Sequence, residues 1–178
     1  MDVISRAKAL GATSALALVG PDLFRDFLLA AQRIEGSDLK SLNAAIALER
    51  AGIKAYTDGA GTGLLSTPVL NLCQGFVKDH TAHRDALLAA VKQSGATPTE
   101  DTTALTYPAL KSQDDILTFA YSVERQAAST YLSLIPTLKN QTFAHLMASI
   151  LGVETTHVAL LAQSLRRTPA YPSGFVSS

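Results

Sequence analysis

A single cysteine, Cys73, stands in 178 residues, so no internal disulfide can form. The side chain reads instead as a small apolar filler on an inward helix face. Neither sign of charge is in excess. Fifteen basic and fifteen acidic side chains give a formal net charge of zero, which removes the electrostatic basis for a nucleic-acid partner, because phosphate binding needs a concentrated basic surface. No stretch sustains a period-two alternation of apolar and polar residues, which argues against sheet. Glycine and proline are few and collect between apolar runs filled by alanine and leucine. With 47% hydrophobic residues, the chain has the length and composition of one all-α domain with a sizeable core.

Residues 1–36 read as an N-terminal helical segment. Residues 9–19 are an apolar run too short to span a bilayer but suited to the middle of an export signal, preceded by a slightly basic stretch without a twin arginine. Residues 1–20 are thus either an export-signal remnant or a first helix packed on the domain. The two alternatives place the protein in the periplasm or the cytoplasm, and no transmembrane span is expected. Residues 22–34 form a short amphipathic helix, with Leu23, Phe24, Phe27, Leu28 and Ala31 on one side.

The main domain spans residues 37–166. Ser37 or Asp38 is expected to cap a helix running to Tyr56 and stopping at Asp58-Gly59-Ala60-Gly61. Pro68 suits the first turn of a second helix ending at Gln93. Residues 95–111, rich in threonine and proline, form a connection too long for a simple turn and read as a crossover along a bundle. Ser112, with an acidic residue three positions later, opens a third helix to Ile135. A fourth runs from Thr142 to Leu165, and residues 167–178 are a tail.

Within this frame, Glu154-Thr155-Thr156-His157 lies mid-way along the most apolar helix. Its glutamate and histidine, three residues apart, project from one face together with Met147, Ile150 and Leu161. Burial of a carboxylate and an imidazole is costly unless they pair, hydrogen-bond or bind a metal. The rest of the chain repeats the theme. Glu49 and Tyr56 in the first helix match Glu124 and Tyr131 in the third at an offset of 75 residues, and His80-Thr81-Ala82-His83 matches Glu154-Thr155-Thr156-His157 at an offset of 74. One register superposes both sets, as in a duplicated helical hairpin. Gly52 and Ala127, one turn after each single glutamate, would leave space beside the carboxylates.

This pattern resembles the ferritin-like superfamily, in particular rubrerythrin-like di-iron carboxylate bundles, in which two helices each give a glutamate and the other two each give a Glu-x-x-His. The resemblance implies an up-down four-helix bundle with a long crossover between helices 2 and 3. It implies metal ligands at Glu49, His83, Glu124, Glu154 and His157, with Tyr121, Tyr56 and Tyr131 as surrounding donors or core residues. The departure is His80, which takes the place of the fourth glutamate and is counted with the candidate ligands. An imidazole cannot bridge two ions as a carboxylate can, so an unsymmetrical pair or a single ion is expected. Iron, one or two ions, fits this donor set, with manganese or zinc as competitors.

The resemblance further implies oxidoreductase or stress-related handling of peroxide, dioxygen or iron. The paired-cysteine site of rubrerythrins is absent, so electrons would come from a separate donor. The alternative is a degenerate bundle that keeps the fold without catalytic metal and serves a structural or partner-binding role. A monomer or homodimer is expected.

Overall fold

The computed structural model describes residues 34–100 and 105–168. The export-type run, all but the last residue of the expected 22–34 helix, and the tail beyond residue 168 lie outside the described residues. The described fold comprises four α-helices, α1 (Gly36–Gly61), α2 (Thr67–Gln93), α3 (Gln113–Leu134) and α4 (Gln141–Ser164), with a 3-10 turn at Ile135–Thr137 between α3 and α4. There is no strand among the described residues. α1 packs chiefly on α2 and α3 on α4. The two antiparallel hairpins close on each other as a four-helix bundle, and the described residues 94–100 and 105–112 belong to the long connection between α2 and α3.

The helix ends follow local chemistry. Pro68 sits in the first turn of α2, and the Ser112 hydroxyl accepts the Asp115 N–H at 3.2 Å. Asn140 caps α4 by accepting the Thr142 N–H at 2.8 Å. α1 ends at Gly61, within the expected stop, and inside it Gly59 faces α3 so closely that a Cβ there would lie 3.3 Å from Ile116 Cγ2. A glycine at a helix–helix contact need not end the helix. At the other end neither Ser37 nor Asp38 is the cap; Glu35 holds that position without a side-chain bond.

Asp38 is instead buried, and its carboxylate accepts the backbone N–H groups of Lys139 and Asn140 at 2.9 and 2.8 Å. Beside it, Ser41 and Thr137 hydroxyls meet at 3.1 Å. The start of α1 is thereby tied to the turn that opens α4. Asp38→Ala leaves two N–H groups without their acceptor and is expected to cost about 2–3 kcal/mol in urea unfolding. An unchanged midpoint would mean that the turn is held by other contacts.

The core divides above and below a polar layer. On one side Leu42, Ala45, Ile46, Leu87, Val91, Phe143, Met147 and Ile150 pack together. On the other, Cys73, Phe76, Leu117, Val158 and Leu161 do so, with Cys73 an enclosed filler whose thiol is pushed up to about 11 by burial. By length and composition α4 could cross a membrane. Its high hydropathy has a local cause, since its buried side supplies both apolar layers and also carries Glu154 and His157 between them.

Candidate metal centre

Between these layers the four helices bring their inward ionisable groups to one level. Glu49 comes from α1, His80 and His83 from α2, Glu124 from α3, and Glu154 and His157 from α4. All are buried except His83, whose side chain is 12% exposed. Their atoms form two overlapping groups, within each of which the candidate ligand atoms lie within 4.8 Å of one another. One comprises Glu49, His80, His83 and Glu154, and the other His80, Glu124, Glu154 and His157. The six positions singled out from sequence thus converge, and Glu154 and His80 belong to both groups.

His80 lies at the centre. Its Nδ1 is 2.8 Å from Glu49 Oε2 and its Nε2 is 3.1 Å from Glu124 Oε1, so the ring links the two single glutamates. The ring has room because residue 52 is glycine. A Cβ there would lie 3.0 Å from both Cε1 and Nδ1 of His80 and 3.1 Å from Cγ. The space expected beside the Glu49 carboxylate is therefore taken by an imidazole.

Two tyrosines complete the framework. Tyr56 of α1 donates its hydroxyl to Glu124 of α3, and Tyr131 of α3 donates to Glu49 of α1. α1 and α3 run antiparallel, so the seven-residue Glu-to-Tyr spacing, read in opposite directions, sets each tyrosine level with the other helix's glutamate. Tyr121 is placed differently. No hydrogen bond among the described residues joins it to a carboxylate, and the Arg167 guanidinium lies over its ring at 4.1 Å. Arg84 pairs with Asp85 at 2.8 Å and Arg50 donates to the Thr99 carbonyl in the crossover at 2.9 Å. His145 is exposed.

One contributor was not legible in the sequence. Asp79 projects beside His80 toward α4, where its Oδ2 lies 3.2 Å from His157 Nε2. The His157 ring also stacks on Phe76, with centroids 3.9 Å apart. Together these contacts turn Nδ1 toward Glu124 and Glu154, at 3.5 and 3.8 Å. A carboxylate on the outer nitrogen of a ligating histidine is a recurrent means of fixing its orientation.

The electrostatics follow from enclosing so many charges together. Burial alone would lower the histidine pKa values, but the surrounding carboxylates outweigh it, raising His80 to about 11 through Glu124 and Glu49, and His83 to about 9 through Glu154 and Glu49. Burial opposes ionisation of Glu49 and Glu124 as well, yet their histidine partners hold both below the usual carboxylate range. Glu154 goes the other way. Burial, reinforced by neighbouring Glu124, pushes it up to about 8. Tyr56 and Tyr131 are raised well above 10, first by burial and then by the glutamates they face.

This donor set fits a divalent cation. Among the described residues, the buried side-chain atoms without a hydrogen-bond partner are His83 Nδ1, Glu124 Oε2, both oxygens of Glu154, and His157 Nδ1. Every one belongs to a candidate ligand. Unsatisfied buried polar groups cost about 1–3 kcal/mol each, so five such atoms would weigh heavily against a domain stability of about 5–15 kcal/mol. A cation ligated by oxygen and nitrogen would satisfy them together. A recess of about 330 Å³ between α1 and α3 reaches the Glu49–His80 side of the cluster, walled by Leu48, Ala51, Gly52, Val123 and Ala127 with Ser122 and Gln126.

The sequence model of a family described as a ferritin-like domain matches residues 37–167. No curated protein matches. Among solved structures, a conserved hypothetical protein from Mycobacterium tuberculosis is similar, with a TM-score of 0.67 at 20% identity, covering 74% of this chain and 99% of its own. A structure described as ferritin-like, diiron-carboxylate proteins from Bacillus anthracis is also similar, with a TM-score of 0.63 at 21% identity and the same two coverages, 74% and 99%.

Proposed function

The chain belongs to the ferritin-like domain family, and from that premise we propose that it is a metal-binding protein whose buried cluster takes iron, with manganese or zinc as competitors, and serves oxidation chemistry with dioxygen or peroxide, in iron or peroxide handling under oxidative stress. The observation that carries this reading is that, among the described residues, all five unpartnered buried side-chain atoms belong to His83, Glu124, Glu154 and His157. Bound iron would supply a one-electron couple and open positions for a small oxidant.

The chain's own residues define the rest. Tyr56 and Tyr131 fix one oxygen of Glu124 and of Glu49, Asp79 orients His157, and apolar layers enclose the cluster at both ends. The recess between α1 and α3 has the volume of roughly ten water molecules and suits the approach of a small oxidant. With Cys73 enclosed in the core, electrons would come from a separate donor.

One observation favours the alternative of a structural bundle without catalytic metal. His80 ties Glu49 to Glu124 through both ring nitrogens, as a closed internal network would. Anaerobic loading of chelator-treated protein with ferrous iron, followed by gel filtration and mass spectrometry, separates the two. The metal reading expects at least one equivalent retained, a raised melting temperature and consumption of added peroxide. Protein that emerges iron-free, with its melting temperature unmoved, belongs to the structural alternative.

A further inference from the structure

The unpartnered atoms are not shared equally between the two halves of the cluster. Glu124 Oε2, Glu154 Oε2 and His157 Nδ1 all face one another without hydrogen bonds. The histidine among them is already oriented by Asp79 and Phe76. In the other half Glu49 is committed at both oxygens, Oε1 to the Tyr131 hydroxyl and Oε2 to His80 Nδ1. Only His83 Nδ1 and Glu154 Oε1 remain there, 3.2 Å apart. At the 74-residue offset that relates His83 to His157, the counterpart of Asp79 is Val153, which offers no acceptor side chain. His83 is also the more exposed of the two histidines, at 12% against 1%.

Gly52 and His80 account for the difference. The His80 ring lies between the two single glutamates only because no Cβ occupies the notch at residue 52. At the corresponding positions of the other half stand Ala127 and Glu154. Glycine thus accompanies the histidine and alanine the glutamate, a steric match between positions on neighbouring helices. With both nitrogens engaged, His80 cannot hold two ions as a carboxylate does.

Taking the cluster as a metal site, the geometry points to a mononuclear centre: one divalent cation held by Glu124, Glu154 and His157, positioned by Asp79, with the Gly52-seated His80 ring closing the place of a second ion. Asp79 is a positioning residue in this scheme, and Gly52 with His80 sets the stoichiometry.

The test is titration of chelator-treated protein with cobalt(II), read by visible absorption and by mass spectrometry of the gel-filtered complex. The parent is expected to bind one equivalent. Asp79→Asn weakens binding about 10–100-fold without lowering the melting temperature of the metal-free protein, since this carboxylate is 47% exposed. His83→Ala weakens binding less than Asp79→Asn does. Gly52→Ala combined with His80→Glu takes up two equivalents. Two equivalents in the parent, or a larger loss in His83→Ala than in Asp79→Asn, overturns the mononuclear assignment while leaving the metal reading intact. A parent that binds no cobalt overturns both. The comparison between Asp79→Asn and His83→Ala decides the assignment even where the double variant does not fold.

Discussion

Glu154→Gln is expected to stabilise the metal-free protein at pH 9 by several kcal/mol while lowering its metal affinity by at least a hundredfold. Glu154 is fully enclosed, neither oxygen has a hydrogen-bond partner, and burial reinforced by Glu124 pushes its pKa up to about 8. A carboxyl raised in this way is neutral in both states below about 4.5, so it costs nothing there. As pH rises from about 4.5 to 8 the unfolded chain ionises freely while the folded protein resists, and above 8 the full penalty is present. A rise of that size corresponds to roughly 5 kcal/mol. Glutamine keeps the shape, removes the charge and offers Glu124 Oε2 a donor. The same substitution deletes the one carboxylate common to both candidate ligand groups. Urea unfolding in chelator at pH 5 and pH 9, beside metal uptake at neutral pH, checks both halves. A variant less stable than the parent at pH 9 would show that Glu154 is ionised and well paired in the metal-free state. Such a trade, stability against affinity at a single position, is expected of a group placed for a ligand rather than for folding.

The elements most readable from sequence were those fixed by local chemistry. Pro68 in a first turn, Ser112 bonded three residues on, and apolar positions recurring at helical spacing depend only on neighbours along the chain, and the helices appear where those signals put them. The convergence of Glu49, His80, His83, Glu124, Glu154 and His157 was readable for a related reason: their offsets of 74 and 75 residues encode depth along helices of similar length.

What escaped depends on rotation and direction between helices. Asp79 reaches His157 because α2 is turned so that the position beside His80 faces α4, and no single-helix periodicity carries that angle. Tyr56 and Tyr131 looked two turns removed from their own glutamates, yet each meets the glutamate of the antiparallel helix opposite. Tyr121, expected as a donor or a core residue, lies in the apolar layer. It precedes Glu124 by one turn, but helical side chains lean toward the N-terminus, which carries its ring away from the carboxylate. At Gly52 the missing Cβ was visible, but which neighbour uses the space was not, since that neighbour sits on another helix.

Stability of the metal-free protein is expected to peak near pH 5 and to fall by at least about 3 kcal/mol between pH 6.5 and 9. His80 and His83 are raised to about 11 and about 9 by the carboxylates around them. For a histidine raised above its unfolded value near 6.5, the stabilisation is fully present below that value and is lost as pH climbs through the folded one. His83 should therefore give up its contribution across pH 6.5–9 and His80 across pH 6.5–11. Glu154, raised to about 8, adds a loss of the same sign from about pH 4.5 to 8. Glu49 and Glu124 have the opposite sign. Held below the usual carboxylate range by the histidines, they stabilise above about pH 4.5 and lose that effect as acid protonates them, which sets the lower edge of the dome. Most soluble domains change little between pH 6.5 and 9 because few groups titrate there; here three groups of the cluster bind protons differently in the folded and unfolded states across that range. Urea midpoints in chelator across pH 4–10 test this, and His83→Gln should flatten the limb between 6.5 and 9. A flat profile in the parent would mean that the cluster's protons are bound no more tightly in the folded protein than in the unfolded chain.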